Sequence, residues 1–452
     1  MSEQTDVVVV GLGPGGEHVA GTLAEAGLDV VAVEAELVGG ECPYWGCVPS
    51  KMMIRAGNLL AEARRVPGIA GDASVRPDWG QVAARIRGEA TDDWNDQVAA
   101  DRLTGKGARL VRGFGRLTGP RQVTVDGRTF QARRGVVLAT GSRPRIPPIP
   151  GLAETPYWTN RDAVAAKELP ASLTVLGGGA IGVEIAQVFA RFGCRVTVVE
   201  GQERLLSAEE PESGRLAADV LQAEGATVRT SVRAERVSHD GAMFTVHLGS
   251  GESVGAEQLL VATGRRVELA GLGVDAVGID PAAAAVDTDG RMRVGDGLWA
   301  VGDITGRGAF THVSMYQAQI AIRDILGFPG PDADYRALPR VVFTDPEIGA
   351  VGLTEQAARD RGLQVRTSLV PLSSATRGWI HKAGNEGFVK LVQDLDRGVL
   401  VGATSVGAAG GEVLYGLGVA VHAEVPVERL RNMIYAYPTF HRTVEAALAA
   451  LG

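Results

Sequence analysis

A strand, a glycine-rich turn, a helix, a second strand and a carboxylate occur twice in this chain at the same spacing. That recurrence restricts the fold more than any other feature. The first copy runs from Val7-Val8-Val9-Val10 through Gly11-Leu12-Gly13-Pro14-Gly15-Gly16 and an amphipathic stretch from Gly16 to Ala26, then to Asp29-Val30-Val31-Ala32-Val33 and Glu34. The second runs from Leu173-Thr174-Val175-Leu176 through Gly177-Gly178-Gly179-Ala180-Ile181-Gly182 and a helical stretch from Ala180 to Phe192, then to the strand from Arg195 to Val199 and Glu200. Gly11 and Gly13, and likewise Gly177 and Gly179, let the backbone turn and approach a pyrophosphate, and Gly16 or Gly182 lets helix and strand pack closely. The helix start supplies partial positive charge, and the acid accepts ribose hydroxyls. A single such turn often binds nothing. Two in register with strand, helix and acid predict two dinucleotide sites. Glu200 repels a 2′-phosphate and so favours NADH over NADPH, with Arg204 as the opposing charge.

At 452 residues and 45% hydrophobic content the chain is long enough for several cores. Its 61 glycines follow no Gly-X-Y period, which suits tight turns and close ligand contacts. A net charge of -8 argues against a nucleic-acid partner, because counterion release needs a basic face. No export signal precedes the first strand, and no apolar run reaches the ~18 residues needed to span a bilayer, so a cytoplasmic protein with no membrane partner is expected. Pro144, Pro147, Pro148 and Pro150 form a stiff connector between the two copies. Near Pro339 the alternating pattern gives way to short strands, including a hairpin from Phe388–Val392 to Val399–Val401. Helical stretches Val413–Val421, Val427–Ile434 and Thr439–Leu451 close the chain.

In a reducing compartment the three cysteines need a chemical reason. Cys42 and Cys47 lie in Gly39-Gly40-Glu41-Cys42-Pro43-Tyr44-Trp45-Gly46-Cys47-Val48-Pro49-Ser50-Lys51, before a helical run from Met52 to Arg64. Five residues of helix rise about 7.5 Å, whereas a disulfide wants Cα atoms within about 7 Å, so a bridged pair here requires a break that Pro43 and Gly46 can supply. Such a pair suits electron relay, with a thiolate favoured near a helix start. A metal site would need two further ligands. Cys194 lies inside the second βαβ unit and reads as a packed side chain, no histidine lies near the pair, and no metal ligand is assigned.

Over nearly its whole length the chain resembles the class I flavoprotein disulfide reductases. The motifs that carry this are Gly11–Gly16, the cysteine segment Gly39–Lys51, Ala139-Thr140-Gly141, Gly177–Glu184, Ala262-Thr263-Gly264-Arg265 and Val301-Gly302-Asp303. The resemblance implies an α/β fold of two Rossmann-like nucleotide-binding domains plus a C-terminal α+β dimerisation domain. FAD would occupy residues 1–150 and a return segment 266–337, NAD(P)H residues 151–265, and the homodimer interface residues 338–452. It also implies FAD contacts at Gly11, Gly13, Gly16, Glu34, Lys51, Ala139, Thr140, Gly141, Asp303 and His312, and nicotinamide contacts at Gly177, Gly179, Gly182, Glu200 and Gly264. Cys47 would face the flavin, Cys42 would exchange with substrate, and Lys51 would pair with Glu184 near the reactive flavin nitrogen. The bland reading of Lys51 and Glu184 is that both are surface charges.

The chain departs from the family where it usually carries His-Pro-Thr-x-Ser-Glu, the acid–base dyad. Here the stretch is Tyr437-Pro438-Thr439-Phe440-His441-Arg442. A phenol of reference pKa near 10 would need a shift of about three units, ~4 kcal/mol, to be half ionised at pH 7, so Tyr437 cannot simply replace imidazole as base. Tyr437 or Tyr435 can donate a proton. His441 is either a displaced base on the same helix face or an interface residue. The leading expectation is a small disulfide or dithiol substrate. Alternatives are a metal ion, as in mercuric reductase, which also carries this tyrosine but adds a C-terminal cysteine pair where this chain reads Ala449-Ala450-Leu451-Gly452; a quinone reduced by the flavin; or an atypical thiol-dependent reaction resembling thioether-ketone cleavage. A redox-responsive binding module is the non-catalytic alternative. Tyr44 and Trp45 either shape a substrate pocket or pack in the core.

Overall fold

The computed structural model describes residues 2–452, and these separate into two compact units of discontinuous chain. The first takes the chain up to Ser50 with Ala83–Arg145 and Gly264–Asp334; the second takes Lys51–Val82, Ile146–Thr263 and Tyr335–Gly452.

The first unit is built on an eight-stranded sheet. Its parallel centre runs, in spatial order, Leu298–Ala300, Arg128–Leu138, Glu3–Val10, Val30–Glu34 and Arg109–Arg112. Strands Gln122–Val125 and Arg116–Gly119 extend it as an antiparallel meander. The Val7–Val10 run is continuous because both sheet faces are covered. Val7 and Val9 pack with Val19, Leu23 and Ala318 beneath helices Pro14–Glu25 and Thr311–Leu326, while Val8 and Val10 pack with Phe130, Val136 and Ile304. The strand's period of two makes this division. From Glu3–Val10 the chain passes to Val30–Glu34 on one side and to Arg128–Leu138 on the other, so the loops after Val10, Leu138 and Ala300 open at one edge, the position where α/β sheets bind ligands.

In the second unit, Thr227–Arg229, Arg195–Val199, Ser172–Leu176 and Gln258–Val261 form a four-stranded parallel sheet beside a three-stranded antiparallel one. Its C-terminal part is a five-stranded antiparallel sheet, Pro339–Val342, Glu347–Gly352, Val399–Gly407, Phe388–Asp394 and Val365–Pro371. Helices Gly410–His422 and His441–Ala449 cover that sheet through Val413, Leu417, Val444 and Leu448 against Val389, Leu391 and Leu400.

Most boundaries move by a few residues from the sequence reading. The first helix begins at Pro14, since proline at the first helical position gives up only an N–H the helix does not use. The expected Val427–Ile434 helix stops at Arg431, and beyond it Met433 and Ile434 are exposed, Ile434 at 99%, so no burial rewards a further turn. The last helix starts at His441 rather than Thr439, because the Arg442 and Thr443 N–H groups reach back only three residues, to the Thr439 and Phe440 carbonyls. Among the described residues, no helix is long and apolar enough to cross a membrane.

Candidate active site

The two glycine turns are built alike, each within its own unit. Leu12 N–H donates to Glu34 Oε2 at 2.6 Å and Glu36 N–H to Oε1 at 2.7 Å; Gly178 N–H donates to Glu200 Oε2 at 2.6 Å and Gln202 N–H to Oε1 at 2.7 Å. Burial pushes the Glu34 carboxyl above its ordinary range, and the two amides oppose that shift. A Cβ on Gly16 would lie 2.0 Å from the Gly11 oxygen, and one on Gly182 2.1 Å from the Gly177 oxygen, so both positions require glycine for helix–strand contact. Gly13 and Gly179 differ. Their backbones (φ -62° and -77°) suit any residue, and a Cβ on either would meet nothing within 4 Å. The fold itself gives no reason for glycine there, whereas close approach of a pyrophosphate does. The residues present therefore fit the pyrophosphate of a dinucleotide at each turn.

Around the first turn, Ala139 and Thr140 lie where a Gly11 Cβ would fall, at 2.6 Å from the Ala139 oxygen. Asp303 accepts the Ser142 hydroxyl at 2.5 Å, and Arg265 donates to Ser142 Oγ at 2.8 Å and approaches Glu41 at 3.7 Å. His312 stacks on Phe310, with centroids 5.2 Å apart, next to Thr311. In the second unit, Ala262 and Thr263 stand against Gly177 as Ala139 and Thr140 stand against Gly11.

Cys42 lies in the short helix Glu41–Tyr44, and Cys47 opens the helix Cys47–Arg65. The break between them is at Trp45 and Gly46; Pro43 sits inside the short helix and is not the irregularity. A Cβ on Gly46 would press to 3.2 Å from the Glu41 oxygen, which explains glycine there. Both cysteines are free thiols and touch each other, and the Cys47 sulfur is 3.4 Å from the Thr311 hydroxyl. Cys47 stands at the helix start where a thiolate is expected, while at Cys42 the hydrogen bond with Cys47 and burial push the pKa well above the thiol range, against a smaller pull from Thr311. Cys194 is buried, which pushes its thiol up to about 12 and makes it inert at neutral pH.

In the second unit Lys51 Nζ donates to Glu184 Oε2 at 2.9 Å. Phe343 completes this pair: its N–H donates to Glu184 Oε1 at 2.8 Å, and its ring centroid lies 4.5 Å from Lys51 Nζ. Glu184 is buried, so the surface-carboxylate reading is wrong for it. The same helix, Ala180–Arg191, turns Gln187 and Arg191 to Asp345; Arg191 is 1% exposed and also forks onto Glu224 and bonds Asn58.

The family described as pyridine nucleotide-disulphide oxidoreductase matches residues 5–323, and its dimerisation domain matches residues 338–448. The chain belongs to this family. A dihydrolipoyl dehydrogenase from Chlorobaculum tepidum is 35% identical across 100% of this chain and 98% of its own. A mercuric reductase from Bacillus cereus is 30% identical over 98% of this chain and 71% of its own. Among solved structures, the Cu(II) complex of the HOCl-induced flavoprotein disulfide reductase RclA from Escherichia coli aligns with TM-score 0.87 at 26% identity over 100% of both chains. LpdA from Mycobacterium tuberculosis aligns with TM-score 0.86 at 27% identity over 99% of this chain and 100% of that one. The fold is that of the class I disulfide reductases. Membership makes the chain a flavoprotein oxidoreductase with FAD, a pyridine nucleotide and a dimerisation domain.

At the C-terminal site of this disulphide oxidoreductase, Tyr437 is 68% exposed and its hydroxyl is 3.4 Å from Thr376 Oγ1. It precedes the helix that His441 begins, so the two do not share a helix face as expected. Tyr435 is occupied: its hydroxyl donates to the Leu430 carbonyl at 2.9 Å, and burial raises its pKa. Among the described residues, no cluster of three or more His, Cys, Asp or Glu is placed to hold a metal ion. Sequence reasoning missed Phe343, whose neighbours in the chain carry no motif that points to it, and Thr311, although it adjoins the expected FAD contact His312. It also missed Trp94, which stacks on Trp45.

Proposed function

We propose that the protein carries electrons from NADH, through FAD, to the Cys42–Cys47 pair and on to a small disulfide, or in reverse from a dithiol. The observation that carries this reading is the contact between the two thiols beside a glycine turn shaped for a dinucleotide. When bound, FAD would supply the hydride-accepting ring that links the nicotinamide to the sulfur pair. Glu34, Asp303 and the Ala139-Thr140-Gly141 loop would hold it, with His312 beside the cysteines' Thr311. Glu184 and Phe343 would keep Lys51 oriented at the reactive flavin nitrogen. Cys47, exposed and bonded to Thr311, would face the ring. Cys42, held protonated, would exchange with substrate once its proton is taken up.

NADH is the favoured donor in this reading because both oxygens of Glu200 are fixed by backbone amides, while Arg204 is spent on the carbonyls of Ser207 and Glu209 at 2.8 and 3.0 Å. Residues 1–150 and 266–337 would serve FAD, 151–265 the nicotinamide, and 338–452 a homodimer working in the cytoplasm. In that dimer Tyr437, exposed and free of a helix, would donate the proton that a histidine donates elsewhere in the family, with His441 in a supporting role.

A second reading, reduction of a thiophilic metal ion, is favoured by Tyr437 in the histidine position, by the mercuric reductase relatives and by the Cu(II) complex of RclA. Anaerobic titration with NADH, comparing wild type with Cys47→Ser, tests the electron route. A long-wavelength thiolate-to-flavin band present in wild type and absent in the variant supports it; identical bleaching in both overturns it and points to direct flavin acceptors such as quinones.

A further inference from the structure

The turn between the two cysteines is gripped by an element distant from it in sequence. Residues Ile86–Ala90 form one wide π-type turn. Thr91 Oγ1 donates back to the Ile86 carbonyl at 3.1 Å, and Asp93 N–H to the Arg87 carbonyl at 2.7 Å. Asp92, Asp93 and Trp94 then follow at φ 46°, 53° and 58°, three left-handed residues in a row. Aspartate tolerates that region, tryptophan does so rarely, and such backbone persists only where its surroundings enforce it. The result is the placement of Trp94. Its ring stacks on Trp45 with centroids 5.1 Å apart and planes 20° from parallel, and its indole N–H donates to the Tyr44 carbonyl at 3.2 Å. The Arg87 guanidinium, paired with Asp93 at 3.0 Å, lies 5.1 Å from the Trp94 centroid. Asp96, just beyond, accepts the Val38 N–H at 2.6 Å.

We propose that Trp94 is a positioning residue for the redox pair: by clamping Tyr44 and Trp45 it fixes the turn that sets Cys42 against Cys47, and so biases the pair toward the disulfide. The inference rests on the reading that this pair is redox-active. Oxidation joins the two sulfurs and releases two protons and two electrons, which oxidised dithiothreitol takes up as its ring opens to the dithiol. The S–S bond accepts only a narrow range of Cα separations and torsions, so a turn free to wander lowers the effective concentration of one thiol against the other. A clamped turn keeps it high.

The test equilibrates the FAD-loaded protein with dithiothreitol redox buffers, quenches with an alkylating agent and counts free thiols. Trp94→Ala is expected to shift the equilibrium toward the dithiol by about tenfold, equivalent to ~30 mV for a two-electron couple, while Trp94→Phe, which keeps a stacking ring, recovers most of that shift. Trp45→Leu removes the other half of the stack; it should give a shift of the same sign that is not additive with that of Trp94→Ala. If Trp94→Ala or Trp45→Leu stays within twofold of wild type, or shifts toward the disulfide, the proposal is overturned. Should Trp94→Ala fail to fold, Trp45→Leu decides alone. The measurement uses neither nicotinamide nor substrate, so failure of the electron-route reading in the NADH titration is a separate result.

Discussion

Phe343 touches both members of one ion pair: its N–H holds Glu184 and its ring faces the Lys51 ammonium that Glu184 binds. Lys51 is partly open to water, so its direct attraction to Glu184 is screened, and the aromatic contact adds a second hold on the ammonium. A cation–π contact of this kind is worth about 0.5–1 kcal/mol. Phe343→Leu, which retains the N–H, is expected to cut NADH-dependent reduction by about two- to fivefold at unchanged FAD content. Glu184→Gln should cost more, because it removes the charge that both contacts serve. Steady-state kinetics with a flavin absorbance count decides both.

The raised pKa of Cys42 gives the reduced protein a pH signature. The folded state holds that proton more tightly than the unfolded chain does. The associated stability is fully present below the ordinary thiol pKa of about 8.5 and is lost as pH rises above it. Above about pH 8.5 the dithiol form should therefore lose melting temperature faster than the disulfide form, which has no such proton. Melting curves of both forms from pH 7 to 10 check this; parallel slopes would count against a protonated Cys42. In the reduced protein at pH 7.5, mass mapping should find iodoacetamide at exposed Cys47 before Cys42.

The glycines of each fingerprint divide into two kinds of variant. Gly179→Ala adds a methyl where no protein atom lies within 4 Å, so the melting temperature of the protein without nicotinamide should hold while the KM for NADH rises about tenfold. Gly182→Ala drives a Cβ into the Gly177 carbonyl and should cost about 1–3 kcal/mol of stability.

Nucleotide choice should follow Glu200. Replacing it with alanine removes the carboxylate, while the Arg233 side chain still runs along Gly201. The ratio of kcat/KM for NADPH to that for NADH is expected to rise at least tenfold. A ratio unchanged within twofold would show that Glu200 does not read the ribose.

The parts of this molecule legible in the sequence are those with a local pattern. The two βαβ units appear close to their expected bounds because Val7–Val10 and Leu173–Leu176 are buried strands followed at once by glycine turns and acids. The hairpin expected from Phe388–Val392 to Val399–Val401 is present as Phe388–Asp394 paired with Val399–Gly407, two short apolar runs whose strands are buried nearly throughout. Residues that act across long sequence distances were not. Trp94 reaches the cysteine turn only through an irregular π-type turn and three left-handed residues, neither of which has a periodic signal. Phe343 works through one N–H and one ring face, and in sequence it is simply the residue after a short strand. The grouping of Lys51–Val82 with the second unit depends on tertiary contacts such as Asn58 and Arg64 on Arg191, which composition does not encode.

Helix Ala180–Arg191 begins at the second glycine turn and, along one face, binds Lys51 through Glu184 and Asp345 through Gln187 and Arg191. It is thus not a detachable cassette. An engineer who grafts a foreign nucleotide module in place of residues 151–263 to change the coenzyme would also discard the carboxylate that holds Lys51 and the arginine and glutamine that hold Asp345. A successful chimaera would have to keep this helix's inner face, or import the matching Phe343–Asp345 segment along with the module.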